Sequence, residues 1–397
     1  MSKLLFFPMR SGLMVVAVVL GLGGTCSVAA AEAASPAAVG AQLVVKGAQQ
    51  FDLRSPQGRD YRIFVAVPDK PAPADGYGVL YVLDGNSMFL TAVETVRATE
   101  RRPDVPREQA TLVVGIGYPE GTDIGVERTY DLTPPGSGDA RIKARAGGAD
   151  QFLAFIQNQV KPEMAARYRI DPRRQGLFGH SFGGLFVLHS LERAPDAFAY
   201  RTAASPSIWF NRTAITRRLT EWAQARPKDA PELRVLLTAG EYEQALSPFA
   251  YTRPNVTKLA ELQRERGQVD SGRALALAIS EGNGLSVRFD EILGEDHGTV
   301  IPAAISRTVT QMLMPSIEVP PVPDASAYWQ MTPDQRYDLR MWVRQLPDKQ
   351  RIPWLTKLRD TLHDGLDDTQ QAALHEERNR MDQENGSKPH AVNATAH

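Results

Sequence analysis

GHSFGG occupies residues 179–184, with RRQGLF before it and LFVLHSLERAPDAF after it. A serine with glycine two positions away on either side matches G-x-S-x-G, the pattern in which a strand turns sharply into a helix and leaves the serine oxygen exposed. QGLF supplies the apolar approach of such a strand, and GLFVLHSLERA reads as the apolar helix that follows. Gly179 and Gly183 would let the two elements approach closely, and the Phe182 amide would face an oxyanion formed beside Ser181. A merely flexible bend needs glycines but not this order of strand, turn and helix. Ser181 is therefore expected to be a nucleophile.

A free hydroxyl is a weak nucleophile near neutral pH and needs a base. The chain has 7 histidines. His180 is adjacent to the serine and is expected to point elsewhere, while His189 on the following helix is expected to be structural. His297 lies in GEDHGTV, directly after the strand LSVRFDEIL, which makes it the expected base. His363, His375, His390 and His397 are scattered through polar sequence and are expected to be solvated. For the acid that orients the base, LLTAGEYEQA places Glu241 and Glu243 just beyond a strand and before His297, allowing the order Ser, Glu, His. Glu243 is the candidate, because its distance from Gly240 leaves room for the chain to turn back. Glu241 is the alternative, and a Ser-His dyad remains open; Asp296, next to His297, is poorly placed to orient its ring. The second oxyanion donor is expected in LDGNSMF, at the Asn86 amide with Gly85 as the alternative, in a turn that Asp84 could organise.

Outward from the elbow, strands are expected at residues 61–68, 78–85 and 111–119, then at QGLFG, LRVLLTAG and LSVRFDEIL, with the segment AYRTAASPSIWF at 199–210 preceding LRVLLTAG. Helical segments at 149–168, divided by Pro162, and at 184–194 and 255–266 separate them. That alternation predicts an α/β fold with helices on both faces of the sheet. A length of 397 residues suits one large domain and an attachment. PSIEVPPVP marks a Pro-rich linker, after which 331–346 should be a helix with Thr332 as N-cap, Pro333 at N1 and Gln335 closing a capping box. Further helices are expected at 353–363 and 367–383.

Lys3 and Arg10, an apolar run to Leu22 and a small-residue stretch have the order of a secretory signal, with cleavage after Ala31; a retained anchor is the alternative. Cleavage would remove Cys26, the single cysteine, leaving neither a disulfide nor a cysteine metal site. The expected division is a signal peptide at 1–31, a catalytic domain at 32–315, a linker at 316–324 and a helical extension with polar tail at 325–397. A formal net charge of −1 and a 43% hydrophobic content fit a soluble globular chain and give no reason to expect a nucleic-acid partner.

VLYVLDGNSMF, ERTYDLTP, GHSFGGLF, SPSIWF and EDHGTV together resemble the putative esterase family of the α/β-hydrolases, most of all its periplasmic siderophore esterases that open catecholate trilactones. The resemblance spans roughly residues 45–315. It implies an α/β-hydrolase fold with a mostly parallel central sheet, to which the C-terminal helices form an appendage. It further implies Ser181 as nucleophile, His297 as general base and amides near Asn86 and Phe182 as oxyanion donors, with some members using a dyad. YPEGTDIGVERTYDLTPPG would form an active-site loop, with Arg128 recognising an anionic or catecholate ligand; Lys143 and Arg145 are expected to be solvated loop residues, with an extension of the basic rim as the alternative, and Trp209 would wall the pocket. The implied partner is a small-molecule ester, a ferric catecholate siderophore, met in the periplasm or outside the cell and near a membrane. No cofactor and no catalytic metal is expected, any iron being carried by the substrate. Two other functions fit the same residues: a broad exported carboxylesterase for acyl or carbohydrate esters, and a non-catalytic esterase-like binding or scaffold protein.

Overall fold

The computed structural model describes residues 44–106, 109–135, 145–314, 319–344, 346 and 348–386. The expected signal segment, Lys143, His390 and His397 lie outside the described residues. Eight strands form one sheet: β1 (Ala48–Arg54), β2 (Asp60–Ala66), β3 (Tyr77–Leu83), β4 (Thr111–Gly117), β5 (Ile170–His180), β6 (Tyr200–Ala204), β7 (Leu233–Gly240) and β8 (Leu285–Ile292). Their spatial order is β1-β2-β4-β3-β5-β6-β7-β8. β2 runs antiparallel to β1 and β4, and every pairing from β4 through β3 to β8 is parallel.

The helices of the main sheet are α1 (Gly85–Glu100), α2 (Ile124–Asp131), α3 (Ala149–Phe155), α4 (Lys161–Arg167), α5 (Phe182–Arg193), α6 (Arg212–Gln224), α7 (Val256–Arg266), α8 (Gln268–Ile279) and α9 (Val300–Leu313). Every residue of β3 and β4 is buried, which their near-continuous apolar sequence requires in a sheet covered on both faces. Alternation within β3 assigns the faces: Val79, Tyr81 and Leu83 pack with Phe152 of α3 and Leu185 of α5, whereas Leu80 and Val82 pack with Val93 of α1 and Ile305 of α9. The expected helix at 149–168 is divided as Pro162 requires, with a π-helical turn at Ile156–Val160 between α3 and α4. One expectation is corrected. The segment around Arg128, read as a loop, contains α2, whose first turn is capped by the Asp123 carboxylate accepting from the Val126 amide at 3.2 Å.

The C-terminal extension is helical: α10 (Ala325–Gln330), α11 (Pro333–Arg344), α12 (Asp348–Gly365) and α13 (Asp368–Gly386). The capping box forms, with the Gln335 amide donating to Thr332 Oγ1 at 3.2 Å and the Thr332 amide to Gln335 Oε1 at 2.9 Å. These helices own a separate apolar cluster around Tyr328, Val343, Trp354 and Leu358. Arg336, buried in it, forks onto Glu377 and also donates to the Tyr328 carbonyl. Among the described residues, no helix is long and apolar enough to cross a membrane.

At the elbow the packing limit is set by backbone rather than by a side chain. A Cβ on Gly179 would stand 2.3 Å from the Gly183 carbonyl oxygen, whereas one on Gly183 would meet nothing closer than Asp84 Oδ2 at 3.5 Å. Backbone cannot yield as a side chain does, so Gly179→Ala should cost about 3 kcal/mol or more while Gly183→Ala costs well under that. Thermal denaturation of the two variants checks the asymmetry; equal losses would contradict it.

Candidate active site

The parallel strands end on one edge of the sheet, and each delivers a polar group there. Ser181 follows β5 with φ 60° and ψ −116°, a left-handed backbone that L residues rarely adopt. Its amide donates to the Ala204 carbonyl at 3.0 Å and its carbonyl accepts from Leu185, so the residue is fixed between β6 and α5 while its side chain stands clear. As the first residues of α5, Phe182 and Gly183 have amides with no partner inside the helix.

His297 lies beyond β8, in a loop drawn toward β7 by the Tyr242 amide donating to the Glu295 carbonyl at 2.9 Å. A Cβ on Gly240 would stand 2.4 Å from that same carbonyl oxygen, so the approach depends on the glycine. His297 Nε2 lies 3.1 Å from Ser181 Oγ, and its Nδ1 lies 2.6 Å from Glu243 Oε2. The other Glu243 oxygen accepts from Ser205 Oγ at 2.5 Å and from the Gly240 amide at 2.8 Å. Burial alone would raise the Glu243 carboxyl, but its hydrogen bonds to His297, Ser205 and Gly240, with the His297 charge, hold it below the usual glutamate range. The Glu243 side chain is 3% exposed and the His297 ring 48%, so the acid is sealed in while the imidazole stays open to a ligand. Glu241, the alternative acid, instead accepts from the Gly294 amide at 2.8 Å.

Asp84, between β3 and α1, also has a left-handed backbone, φ 52° and ψ 44°. Its carboxylate is gripped by Arg128, Nε and Nη2 donating at 2.8 and 2.9 Å. Arg128 therefore spends two of its donors on this brace. Asn86 bridges outward, its side chain exchanging hydrogen bonds of 2.8 Å with both the amide and the carbonyl of Tyr118. The Gly85 and Asn86 amides open α1 and so have no partner inside the helix. Tyr118 continues the bracing below: its hydroxyl and that of Tyr61 each donate to Asp131 at 3.1 Å, and burial raises that carboxyl to about 6.

A cavity of about 290 Å³ opens beside His297 and Glu243, with Trp209, Tyr242, Arg253 and Arg266 among its walls. Trp209 thus lines it, with its ring 6.1 Å from that of Phe182. Arg145 is exposed. Residues that sequence reasoning passed over are Ser205, which steadies Glu243, and Ser207, whose Oγ lies 3.3 Å from Ser181 Oγ. Both fall in SPSIWF, but no local pattern says that this turn reaches a glutamate 38 positions on.

The family model described as "Putative esterase" matches residues 55–275. The chain belongs to this family. It is 36% identical over 266 residues to the ferri-bacillibactin esterase of Bacillus subtilis (strain 168), covering 65% of this chain and 86% of that one. To the siderophore enterobactin esterase of Emericella nidulans it is 37% identical over 243 residues, covering 57% and 79%. Its fold is similar to that of a siderophore hydrolase from Aspergillus nidulans, with TM-score 0.63 at 29% identity, covering 70% of this chain and 99% of that structure. The activity is that of a serine-hydrolase-type esterase.

His180 lies in the site, its ring 4.6 Å from the His297 ring. Burial, with the neighbouring His297 charge, lowers it to about 4 from an ordinary value of 6.5. The unfolded chain therefore binds a proton between those values that the folded one refuses, and stability falls as pH drops through that window, by about 3 kcal/mol in total for a shift of this size. Asp131, raised, acts oppositely over part of the same window: its stabilisation is present at low pH and lost as pH rises toward 6. The wild-type melting curve mixes the two. His180→Asn should raise the melting temperature at pH 4.5 relative to its value at pH 7.5, measured against wild type at each pH; a difference that does not change with pH would contradict this.

Proposed function

We propose that the protein is an exported serine esterase that hydrolyses the ester backbone of a catecholate siderophore trilactone. The observation that carries the chemistry is the continuous relay from Ser181 Oγ through His297 to Glu243, at 3.1 and 2.6 Å. His297 Nε2 accepts the Ser181 proton as the oxygen attacks the ester carbonyl. Glu243 fixes the imidazole tautomer with the Nδ1 proton toward itself and stabilises the cation that forms. The Phe182 amide and the Asn86 amide, with Gly85 as its alternative, would receive the oxyanion. His297 then returns the proton to the leaving alcohol. Water repeats the sequence on the acyl-enzyme: His297 takes its proton, hydroxide adds to the carbonyl, and Ser181 leaves with the proton while the linear acid is released. This reaction draws only on water, and iron enters bound to the substrate.

Support for the substrate comes from the siderophore esterases among the relatives and from an exposed imidazole beside an open cavity. Trp209 is placed to wall that cavity, and the Arg128 donors left over from Asp84 are the ones that could meet a ligand. Export rests on the charged, apolar and small-residue order of residues 1–31. With it goes a division into catalytic domain at 32–315, linker at 316–324 and helical extension beyond.

Purified protein incubated with ferric and iron-free catecholate trilactones should release linear and then monomeric acids, followed by mass-resolved chromatography. Ser181→Ala should abolish product and also block covalent labelling by an organophosphate. Glu243→Gln should lower kcat on the order of a thousandfold with KM little changed, because the wrong tautomer or an unpaired ring is then presented. A loss within tenfold would instead make the site a Ser-His dyad. Turnover of small acyl esters with both trilactones left intact would overturn the siderophore assignment in favour of a broad carboxylesterase.

A further inference from the structure

Two serines of one turn reach opposite ends of the relay. β6 ends at Ala204, and Ser205, Pro206 and Ser207 then lead into a short helical turn at Ile208–Asn211. Ser205 holds a left-handed backbone, φ 44°, as Asp84 and Ser181 do. Its neighbours leave it no other conformation. The Ser205 amide donates to the Thr238 carbonyl at 2.8 Å, the Pro206 carbonyl accepts from Gln268 Nε2 at 2.7 Å, and the Ser207 amide donates to the Ser181 carbonyl at 3.1 Å. α5 packs so closely here that a Cβ on Gly184 would stand 2.9 Å from Pro206 Cα. The fixed turn sends the Ser205 hydroxyl to Glu243 and places Ser207 Oγ 3.3 Å from Ser181 Oγ. Ser207 is 1% exposed. A hydroxyl so far from solvent bonds to the polar atom beside it.

The relay decides which of the two hydroxyls donates. With the His297 Nδ1 proton directed at the Glu243 carboxylate, Nε2 of the neutral ring is bare and accepts from Ser181 Oγ. Ser181 has one proton, and His297 takes it. Ser207 is therefore the donor and Ser181 Oγ the acceptor.

We propose that Ser207 is a further catalytic residue, whose hydroxyl hydrogen-bonds the Ser181 oxygen and speeds its departure from the acyl-enzyme. This rests on the Ser181, His297 and Glu243 relay above and on no particular ester. In acylation Oγ gives an electron pair to the carbonyl carbon while its proton passes to His297 Nε2, so a donor on that oxygen does not help. Deacylation reverses the direction. Water adds to the carbonyl and loses a proton to His297 Nε2; the C–Oγ bond then breaks, its electron pair returns to Oγ, and Nε2 gives Oγ the proton. As the pair arrives, negative charge collects on Oγ against the Ser207 O–H, whose own proton stays on Ser207. A separation of 3.3 Å is long for two neutral hydroxyls, and such a bond shortens and strengthens as its acceptor becomes charged. An interaction stronger in the transition state than before it is one that raises the rate.

The test separates the two half-reactions with p-nitrophenyl acetate, with organophosphate titration of Ser181 counting working sites. In Ser207→Ala, decay of the isolated acetyl-enzyme, followed by mass spectrometry after acid quench, should slow on the order of tenfold. The first release of nitrophenol and the rate of organophosphate labelling should change by less than about threefold, so that kcat/KM, which ends at acylation, is nearly kept while kcat falls with deacylation. Ser207→Cys, similar in size and a weaker donor, should decay at an intermediate rate, and it carries the comparison if Ser207→Ala loses labelling. Equal slowing of both half-reactions would make the turn a structural support only, and an acetyl-enzyme that decays at the wild-type rate would also overturn the role; either result leaves the relay standing. Ester hydrolysis that survives Ser181→Ala overturns the relay and the role of Ser207 together.

Discussion

The left-handed backbone at Ser181 is the constraint on which the site depends. Such a conformation costs an L residue about 1–3 kcal/mol, and it persists only where the surroundings leave no alternative. Here β5 and α5 meet so closely that Gly179 and Gly183 are in backbone contact, and the Ser181 amide and carbonyl are both spent on neighbouring elements. The turn therefore cannot relax by rotating the serine back. What the strain provides is a hydroxyl held away from its own backbone, at the C-terminal edge of a rigid parallel sheet, beside amides that α5 leaves without partners.

The same edge explains why the other groups converge. β6, β7 and β8 lie in parallel register next to β5, so the turns that follow them open on the same side. Ser205 comes from the first, Glu243 from the second and His297 from the third. Glu243 is the junction: one oxygen is tied to β7 and to the β6 turn, the other to His297, so both oxygens of a buried charge are hydrogen-bonded. A carboxylate so held cannot swing away when the imidazole gains its proton. On the other side of the nucleophile, the Arg128 fork fixes Asp84, and Asn86 pins α1 to Tyr118, so the amides opening α1 are immobilised by side chains that themselves have no free rotation.

How much of this could be read in advance depended on whether the signal was local. β3, β4, β7 and the QGLFG half of β5 are short, mostly apolar runs containing or followed by Gly, Asp or Pro, and the buried parallel core makes such runs legible; the polar first half of β5, Ile170–Arg174, carries no such signal. β1, an edge strand alternating weakly between half-buried and exposed positions, had no such run and was passed over. So were α1, α6, α8 and α9; α1 begins at the very Asp-Gly turn that reads as a loop. Ser181 is legible in its own G-x-S-x-G pattern, and Glu243 and His297 in their places after strands, since topology fixes where strand ends go. Ser205 is not legible, because it acts through a partner far along the chain. The segment around Arg128 failed for a related reason: its Pro, Gly and acidic residues suggest a loop, but Asp123 caps a helix and Asp84, 44 positions earlier, anchors it.

That last contact also changes where positive charge is available to a ligand. In sequence, Arg128 is the arginine nearest a recognisable motif, and it reads as the ligand's cation. In the fold its guanidinium is committed in bidentate fashion to Asp84, with side chains 24% and 7% exposed, so drawing it toward a substrate would strand a buried carboxylate. A buried charge left without its partner costs several times what an exposed pair returns. The guanidinium therefore acts first on the turn that presents the Gly85 and Asn86 amides. The cavity wall contributed by α7 packs on the sheet less deeply, since no residue of α7 is buried. A wall built from such a surface helix can vary without disturbing the elbow, which separates the part of the molecule that must stay rigid for chemistry from the part that can change around it.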